Sequence, residues 1–192
     1  MNHVTPSEGQ IAADLAHELN ARLTNQGVRV EPHVNLYYSL GVGNDGALTA
    51  SADQRPIRRG NLAAFQVDIL VSEAARQRLV PRVVIEVKKA GITTHSLLTY
   101  AAKAERHKQV YPYLRYGIVV GRSPGGVERK WLFHGSQFDF MVALASFLPT
   151  KREADHLAAI LTEEVQMSRR LGEILASPRK KASSVVRRRL EL

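Results

Sequence analysis

The sequence predicts a single α/β domain with a central mixed β-sheet flanked by helices, in the order α-β-β-β-α-β, and with further helices after them. Two kinds of segment lead to this expectation. Short apolar runs rich in β-branched residues are typical of buried strands, and longer amphipathic stretches with capping residues at their ends are typical of helices. The chain of 192 residues is long enough for one core. We expect the domain to span residues 1–176, with a basic tail over 177–192.

The first predicted helix begins at Ser7, a good N-cap, and Gln10 three residues later stands where it completes a capping box. Gly27 is suited to end the helix, because glycine adopts a left-handed backbone at little cost. One stripe of the helix is apolar and is expected to face the core: Ile11, Leu15, Leu19 and Leu23.

Three strands are predicted to follow this helix. Residues 28–40 read as a first strand or pair of strands, and a loop rich in Gly, Asn, Asp and Ser covers 41–61. A second strand is expected over 63–71, then one or two helical turns over 72–79, and a third strand over 83–87. The third strand is the most apolar of the three, which is typical of a strand in the middle of a sheet.

A long helix is predicted over about 95–111, capped by Thr93 or Thr94 and ended by Pro112. The next expected element is an apolar strand over 116–121.

The C-terminal third of the chain is predicted to hold one more strand, over 130–134, and an apolar helix over 136–148. Thr150 and Glu153 form a second capping box, which begins a helix that we expect to reach residue 176.

The charge balance favours a polyanionic partner. Lys and Arg number 27 against 18 Asp and Glu, and the formal net charge is +9. Nucleic acid comes before an anionic membrane surface as the partner, with a merely soluble basic protein as the alternative. No segment is apolar over the length of a membrane span. The absence of cysteine excludes disulfides and thiolate metal sites, and it fits a cytoplasmic location.

The third predicted strand carries charge at its end, where a buried carboxylate without a partner is costly. Glu86 and Lys88 are two residues apart, so they lie on one face of the strand. If this strand pairs with the preceding one, Asp68 lies beside Glu86. Two converging carboxylates repel each other unless a cation neutralises them, and hard oxygen ligands suit Mg²⁺. The alternative is a structural ion pair between Glu86 and Lys88.

This pattern resembles the PD-(D/E)XK nuclease superfamily, whose fold is called restriction-endonuclease-like, over roughly residues 7–121. The resemblance implies that Asp68 and Glu86 are ligands of Mg²⁺, with Mn²⁺ as an alternative ion. In the same reading the Val87 carbonyl supplies a further ligand oxygen, and Lys88 orients or activates the attacking water.

Two more positions follow from branches of the superfamily. Some branches add an acid on the first helix, which here would be Glu18 or, as the second choice, Glu8, with a solvated helix charge as the alternative for each. The nuclease domain of type I restriction motor subunits is the nearest in motif pattern, and it adds a glutamine and a tyrosine spaced Q-x-x-x-Y. Gln109 and Tyr113 have this spacing, with Pro112 between them, so Gln109 is expected to position the water or a ligand.

Other charged segments are assigned by their context. A second E-x-K, from Glu128 to Lys130, follows a Gly-Gly turn and has no acid-bearing strand before it, so we leave it outside the site. Phosphate contacts are expected from the loop and the tail, with a solvated charge run as the alternative, and the residues concerned are Arg55, Arg58, Arg59, Arg179, Lys180 and Lys181.

The sequence therefore predicts a magnesium-dependent nuclease that hydrolyses phosphodiester bonds, most simply an endonuclease of double-stranded DNA in restriction, repair or a mobile element. The alternative is a catalytically silent nuclease-fold subunit that binds nucleic acid or joins an assembly. A homodimer is expected only by analogy with enzymes that cut both strands.

Overall fold

The computed structural model describes residues 5–39, 64–75 and 78–176. The helices and strands, in chain order, are α1 (Glu8–Leu23), β1 (Arg29–Tyr37), β2 (Ala64–Ala75), β3 (Arg78–Lys88), α2 (Thr94–Val110), β4 (Arg115–Val120), α3 (Arg129–His134), β5 (Phe140–Ala143) and α4 (Lys151–Ala176). A 3-10 turn over Thr24–Gln26 follows α1. The predicted α-β-β-β-α-β series is present.

The five strands form one sheet in the order β1-β2-β3-β4-β5. β1, β2 and β3 are antiparallel neighbours, whereas β3, β4 and β5 run parallel. Parallel neighbours need a crossover, and α2 supplies it between β3 and β4. The α/β class with a central mixed sheet is therefore confirmed, and β3 is its middle strand.

Helices cover both faces of the sheet. One apolar cluster joins α1 and α4 to one face, and a second joins α2 to the other. Ser7 Oγ accepts the Gln10 N–H at 3.1 Å, so the predicted N-cap forms, but the Gln10 side chain donates to Asp14 Oδ1 at 2.8 Å and does not complete the capping box. Gly27, with a φ of 68°, ends the 3-10 turn that follows α1 and not α1 itself. The predicted apolar stripe is at most 2% exposed and consists of Ile11, Leu15, Leu19 and Leu23.

The caps of the other long helices also match the prediction. Thr93 Oγ1 accepts the Ser96 N–H at 3.1 Å at the start of α2. Thr150 and Glu153 form the reciprocal capping box of α4, with the Glu153 carboxylate 2.8 Å from the Thr150 nitrogen. Among the helices of the described ranges, none is both long and apolar enough to cross a membrane.

Residues 72–75 and 78–79 belong to two paired strands, so the helical turns predicted over 72–79 were wrong. β2 continues to Ala75, β3 begins at Arg78, and Ala74 pairs with Leu79. Backbone pairing with the neighbouring strand outweighs the helix propensity of this segment, which is rich in Ala, Glu, Arg and Gln.

Two C-terminal assignments were also wrong. Residues 130–134 lie in α3, where Trp131 is fully buried and its neighbours are not, so the apolar residues do not mark a strand. Residues 136–148 contain β5, which extends the sheet beside β4. A Cβ at Gly117 would lie 2.1 Å from the Phe140 ring, so this glycine makes room for β5. α4 is the C-terminal helix of the described chain.

His107 gives the fold a dependence on pH. Its side chain is fully buried in α2, and Nε2 lies 3.2 Å from the Leu36 carbonyl oxygen. Burial lowers the pKa of His107 to about 4 from its usual 6.5, against the opposing effect of the Leu36 carbonyl. The unfolded chain therefore binds a proton at a higher pH than the folded chain, and stability is lost as pH falls from about 6.5 towards about 4.

The expected size of this effect is about 2 kcal/mol of unfolding free energy between pH 7 and about pH 4.5. The His107→Gln variant keeps a donor for the Leu36 carbonyl and has no titrating ring. Between pH 7 and about pH 4.5, its free energy of unfolding should therefore fall by about 2 kcal/mol less than that of the wild type. Urea unfolding of both proteins at the two pH values measures the difference. Parallel pH profiles would contradict the assignment.

Candidate active site

The pairing of β2 with β3 brings the two strand acids together. Ile69 stands opposite Ile85, and the next position in the same register places Asp68 opposite Glu86. At this position the side chain of Asp68 bonds to the backbone of β3, because Asp68 Oδ2 accepts the Val87 N–H at 2.8 Å. The pairing expected from the sequence is confirmed, and the Asp68 side chain is tied to the end of β3.

Glu86 is a buried acid with two donors on one oxygen. Its side chain is 1% exposed, and Oε1 lies 2.8 Å from Lys103 Nζ. The Tyr116 hydroxyl donates to the same oxygen at 2.6 Å. Burial raises the pKa of Glu86, Lys103 opposes this rise, and the charge of Asp68 adds to it. Lys103 is the cation that favours the ionised form of Glu86 among the described residues, and burial outweighs its effect on the pKa.

Lys88 points to the beginning of α1. Its Nζ lies 2.6 Å from Glu8 Oε2, and the Tyr100 ring is centred 4.7 Å away. Burial acts to lower the pKa of Lys88, but the hydrogen bonds to Glu8 and Tyr100 outweigh it, so the pKa is raised. The other Glu8 oxygen accepts the Lys89 N–H at 3.3 Å. Lys88 is therefore an ammonium held at the end of β3.

Glu8, and not Glu18, is the acid of the first helix that reaches the site. Glu18 binds Arg22, which also binds Asp155 of α4. Ten residues separate the two acids, so Glu18 lies about 15 Å further along the helix than Glu8. The first choice made from the sequence is corrected to the second, because only the first turn of α1 passes the end of β3.

Gln109 is not brought to the site. It is exposed in the last turn of α2. Lys103, which contacts Glu86, lies six residues earlier, which is about 9 Å along the helix and on another face. α2 ends at Val110, and Tyr113 lies instead with Arg82, whose guanidinium is 5.5 Å from its ring centre. The Q-x-x-x-Y spacing therefore has no structural counterpart at Glu86.

Three residues of the site were not identified from the sequence. Tyr100 and Lys103 are three residues apart on α2, so they share the helix face that turns towards β3. Tyr116 stands two residues before Ile118, the residue opposite Glu86 on β4. The available signal was a lysine and a tyrosine at helical spacing directly after the E-x-K strand.

The remaining predicted residues fall outside this cluster or outside the described ranges. Glu128 and Lys130 form an exposed ion pair 2.9 Å apart at the start of α3. The predicted phosphate contacts lie outside the described residues and are Arg55, Arg58, Arg59, Arg179, Lys180 and Lys181.

The site contains carboxylate oxygens, which are the ligand atoms that a small hard cation prefers. Among the described residues, the contacts of Asp68 use Oδ2 and those of Glu86 use Oε1, so each carboxylate keeps a second oxygen for a ligand. No cluster of three or more His, Cys, Asp or Glu side chains suited to a metal occurs in the described part of the chain. Mg²⁺ needs only one or two protein carboxylates, because waters and phosphate oxygens complete its shell.

Comparison of the sequence with models of known protein families and with curated proteins gives no match in either case.

Proposed function

We propose that the protein is a magnesium-dependent nuclease that hydrolyses phosphodiester bonds of DNA. The observation that carries the proposal is the hydrogen bond from the Val87 N–H to Asp68 Oδ2, 2.8 Å long. It holds the Asp68 side chain at the end of β3, where Glu86 and Lys88 stand on either side of Val87. The resemblance to PD-(D/E)XK nucleases noted above rests on these same three residues.

Each side chain then has a role in the proposed reaction. Asp68, Glu86 and the Val87 carbonyl would hold the ion, which when bound would acidify water and neutralise phosphate charge. Tyr116 orients the Glu86 carboxylate by its 2.6 Å hydrogen bond. Lys88 presents an ammonium to the attacking water, and as a cation it cannot itself be a ligand.

The substrate class is argued from charge. The net charge of +9 attracts a polyanion, and Mg²⁺ sites of this composition serve phosphate chemistry. Double-stranded DNA is the proposed substrate, with the loop arginines and the basic tail as phosphate contacts. Cutting both strands in one binding event is simplest with two sites, so a homodimer is part of this proposal.

A nicking assay on supercoiled plasmid tests the function. The protein is incubated with Mg²⁺, with Mn²⁺, with Ca²⁺ or with EDTA. Nicked and linear DNA should appear with Mg²⁺ or Mn²⁺ and not with EDTA. A plasmid left intact under every metal condition, with metal binding demonstrated, would overturn the proposal.

One observation favours the second candidate, a nuclease-fold subunit without turnover. Lys103 Nζ already neutralises Glu86 at 2.8 Å, as a metal ion would otherwise do. If this ion pair persists, the protein binds DNA and neither binds Mg²⁺ nor cuts. Calorimetric titration with Mn²⁺ distinguishes the candidates, because only the nuclease should show saturable binding.

Glu8 and Glu18 provide a matched pair on one helix. Glu8→Gln removes the carboxylate that holds Lys88, so cleavage should fall about tenfold, the size expected when one charged hydrogen bond is lost. Glu18→Gln should cleave at the wild-type rate, because Glu18 contacts Arg22 and not the site. Time courses of plasmid nicking measure both rates. Equal losses in the two variants would show that the effect concerns helix stability alone.

A further inference from the structure

We infer that His33 is a positioning residue of this site, which holds the first turn of α1 so that Glu8 meets Lys88. Its catalytic meaning rests on the proposed nuclease function. His33 stands inside β1 and has a φ of 56°, in the left-handed region. Non-glycine residues rarely adopt this backbone, and those that do are concentrated at functional sites.

The irregular residue lies directly beside the candidate metal site. Pro32 pairs with Ile69 and Val34 with Val67, so His33 stands opposite Asp68 across the β1–β2 ladder. The register is the same on both sides of His33, so the left-handed backbone does not shift the strand. It alters the side-chain alternation of β1 next to the acid that binds Val87: Val30, before it, packs in the cluster of α1 and α4, whereas Leu36, after it, packs in the cluster of α2.

The altered direction brings the imidazole to α1. His33 Nε2 lies 3.2 Å from the Gly9 carbonyl oxygen. A carbonyl only accepts, so Nε2 carries the hydrogen and donates it. Gly9 follows Glu8, whose carboxylate binds both Lys88 and the Lys89 N–H. The imidazole therefore holds the backbone next to the residue that holds Lys88.

The hydrogen bond from His33 to the Gly9 carbonyl, here called the clamp, stabilises a part of α1 that is otherwise weakly held. Glu8 is the first residue of α1, and the first turn of a helix frays because its N–H groups lack intrahelical partners. The Glu8 side chain is 45% exposed, so packing alone does not hold it in place. When a group that positions a reacting residue is displaced even slightly, the rate of the reaction falls.

Two substitutions separate the side chain from the backbone. His33→Gly accepts the left-handed backbone without strain and removes the donor, whereas His33→Gln keeps a nitrogen donor of similar reach. We expect turnover to fall about fivefold to tenfold in His33→Gly, with half-saturating DNA and Mg²⁺ concentrations within about twofold of wild type. His33→Gln should recover most of the rate. His17→Gln, on an exposed position of α1, is the control and should have no effect.

A double-mutant cycle tests whether His33 acts through Glu8. In the Glu8→Gln background, His33→Gly should cause no further loss of turnover, because the carboxylate it positions is already absent. Additive losses would overturn the inference, and so would a His33→Gly variant that cleaves at the wild-type rate.

Amide hydrogen exchange gives a readout that does not depend on cleavage. The Gln10 and Ile11 N–H groups are bound to Ser7 in the first turn of α1. Their exchange should be faster in His33→Gly and unchanged in His33→Gln. Unchanged exchange in both variants would show that His33 does not stabilise the first turn of α1. If the wild type does not cut DNA, the proposed function fails, and the exchange rates alone decide whether the clamp exists.

Discussion

Replacing Lys88 with alanine is expected to reduce DNA cleavage by about 10²–10³-fold, the loss seen when one charge-stabilising donor is removed from an active site. Binding of Mn²⁺ and of DNA should stay within a few-fold of wild type, because an ammonium cannot coordinate a cation. The folded state should also persist, since Lys88 is partly exposed and pairs with an exposed acid. The readouts are plasmid nicking, calorimetric metal titration and urea unfolding.

Lys130→Ala is the matched control for this variant. Lys130 belongs to the other E-x-K of the chain and pairs with Glu128 on the surface of α3. The same substitution at the same motif spacing should therefore leave cleavage unchanged. Equal cleavage by the two variants would show that Lys88 has no special role in the reaction.

Replacing Glu86 with glutamine is expected to abolish both cleavage and metal binding, with metal affinity weakened more than about 100-fold. The amide supplies one neutral oxygen in place of a charged carboxylate, so the cation loses its principal partner. Glutamine is chosen over alanine because its oxygen still accepts from the Tyr116 hydroxyl, which is buried. Alanine would leave that hydroxyl without a partner and would add a cavity.

Urea unfolding decides whether the loss in Glu86→Gln is chemical. The variant should unfold cooperatively, with Lys103 extending to solvent, since it is already 17% exposed. Glu128→Gln, at the exposed acid of the other E-x-K, is the control and should bind metal as wild type does. A folded Glu86→Gln protein with wild-type metal affinity would contradict the assignment of Glu86 as a ligand.

The parts of the fold that were predicted correctly rest on local physical chemistry. Caps such as Ser7 and Thr93 act within one helical turn, and their hydrogen bonds form as expected. The central strand around Glu86 was identified because a β-branched apolar run leaves few alternatives to burial. The acids Asp68 and Glu86 could be joined in advance because antiparallel pairing of two consecutive strands is the simplest connection.

The parts that were missed depend on contacts between distant segments. The sequence of the first helix does not indicate which of its turns lies next to the end of β3. The choice between Glu8 and Glu18 therefore depends on how α1 packs on the sheet. Lys103 joins the site only because α2 crosses back over the sheet. β5 is short and pairs with a strand that passes beneath Phe140 at Gly117, which local periodicity does not reveal.

The most direct measurement of the central claim is a plasmid-nicking time course in Mg²⁺ that compares wild type, Lys88→Ala and Lys130→Ala at equal protein concentration. A nuclease site at the end of β3 predicts that wild type and Lys130→Ala nick at the same rate, with EDTA stopping both, and that Lys88→Ala shows almost no product. Normal nicking by Lys88→Ala, or no nicking by any of the three, would contradict it and leave Glu86 and Lys88 as structural charges.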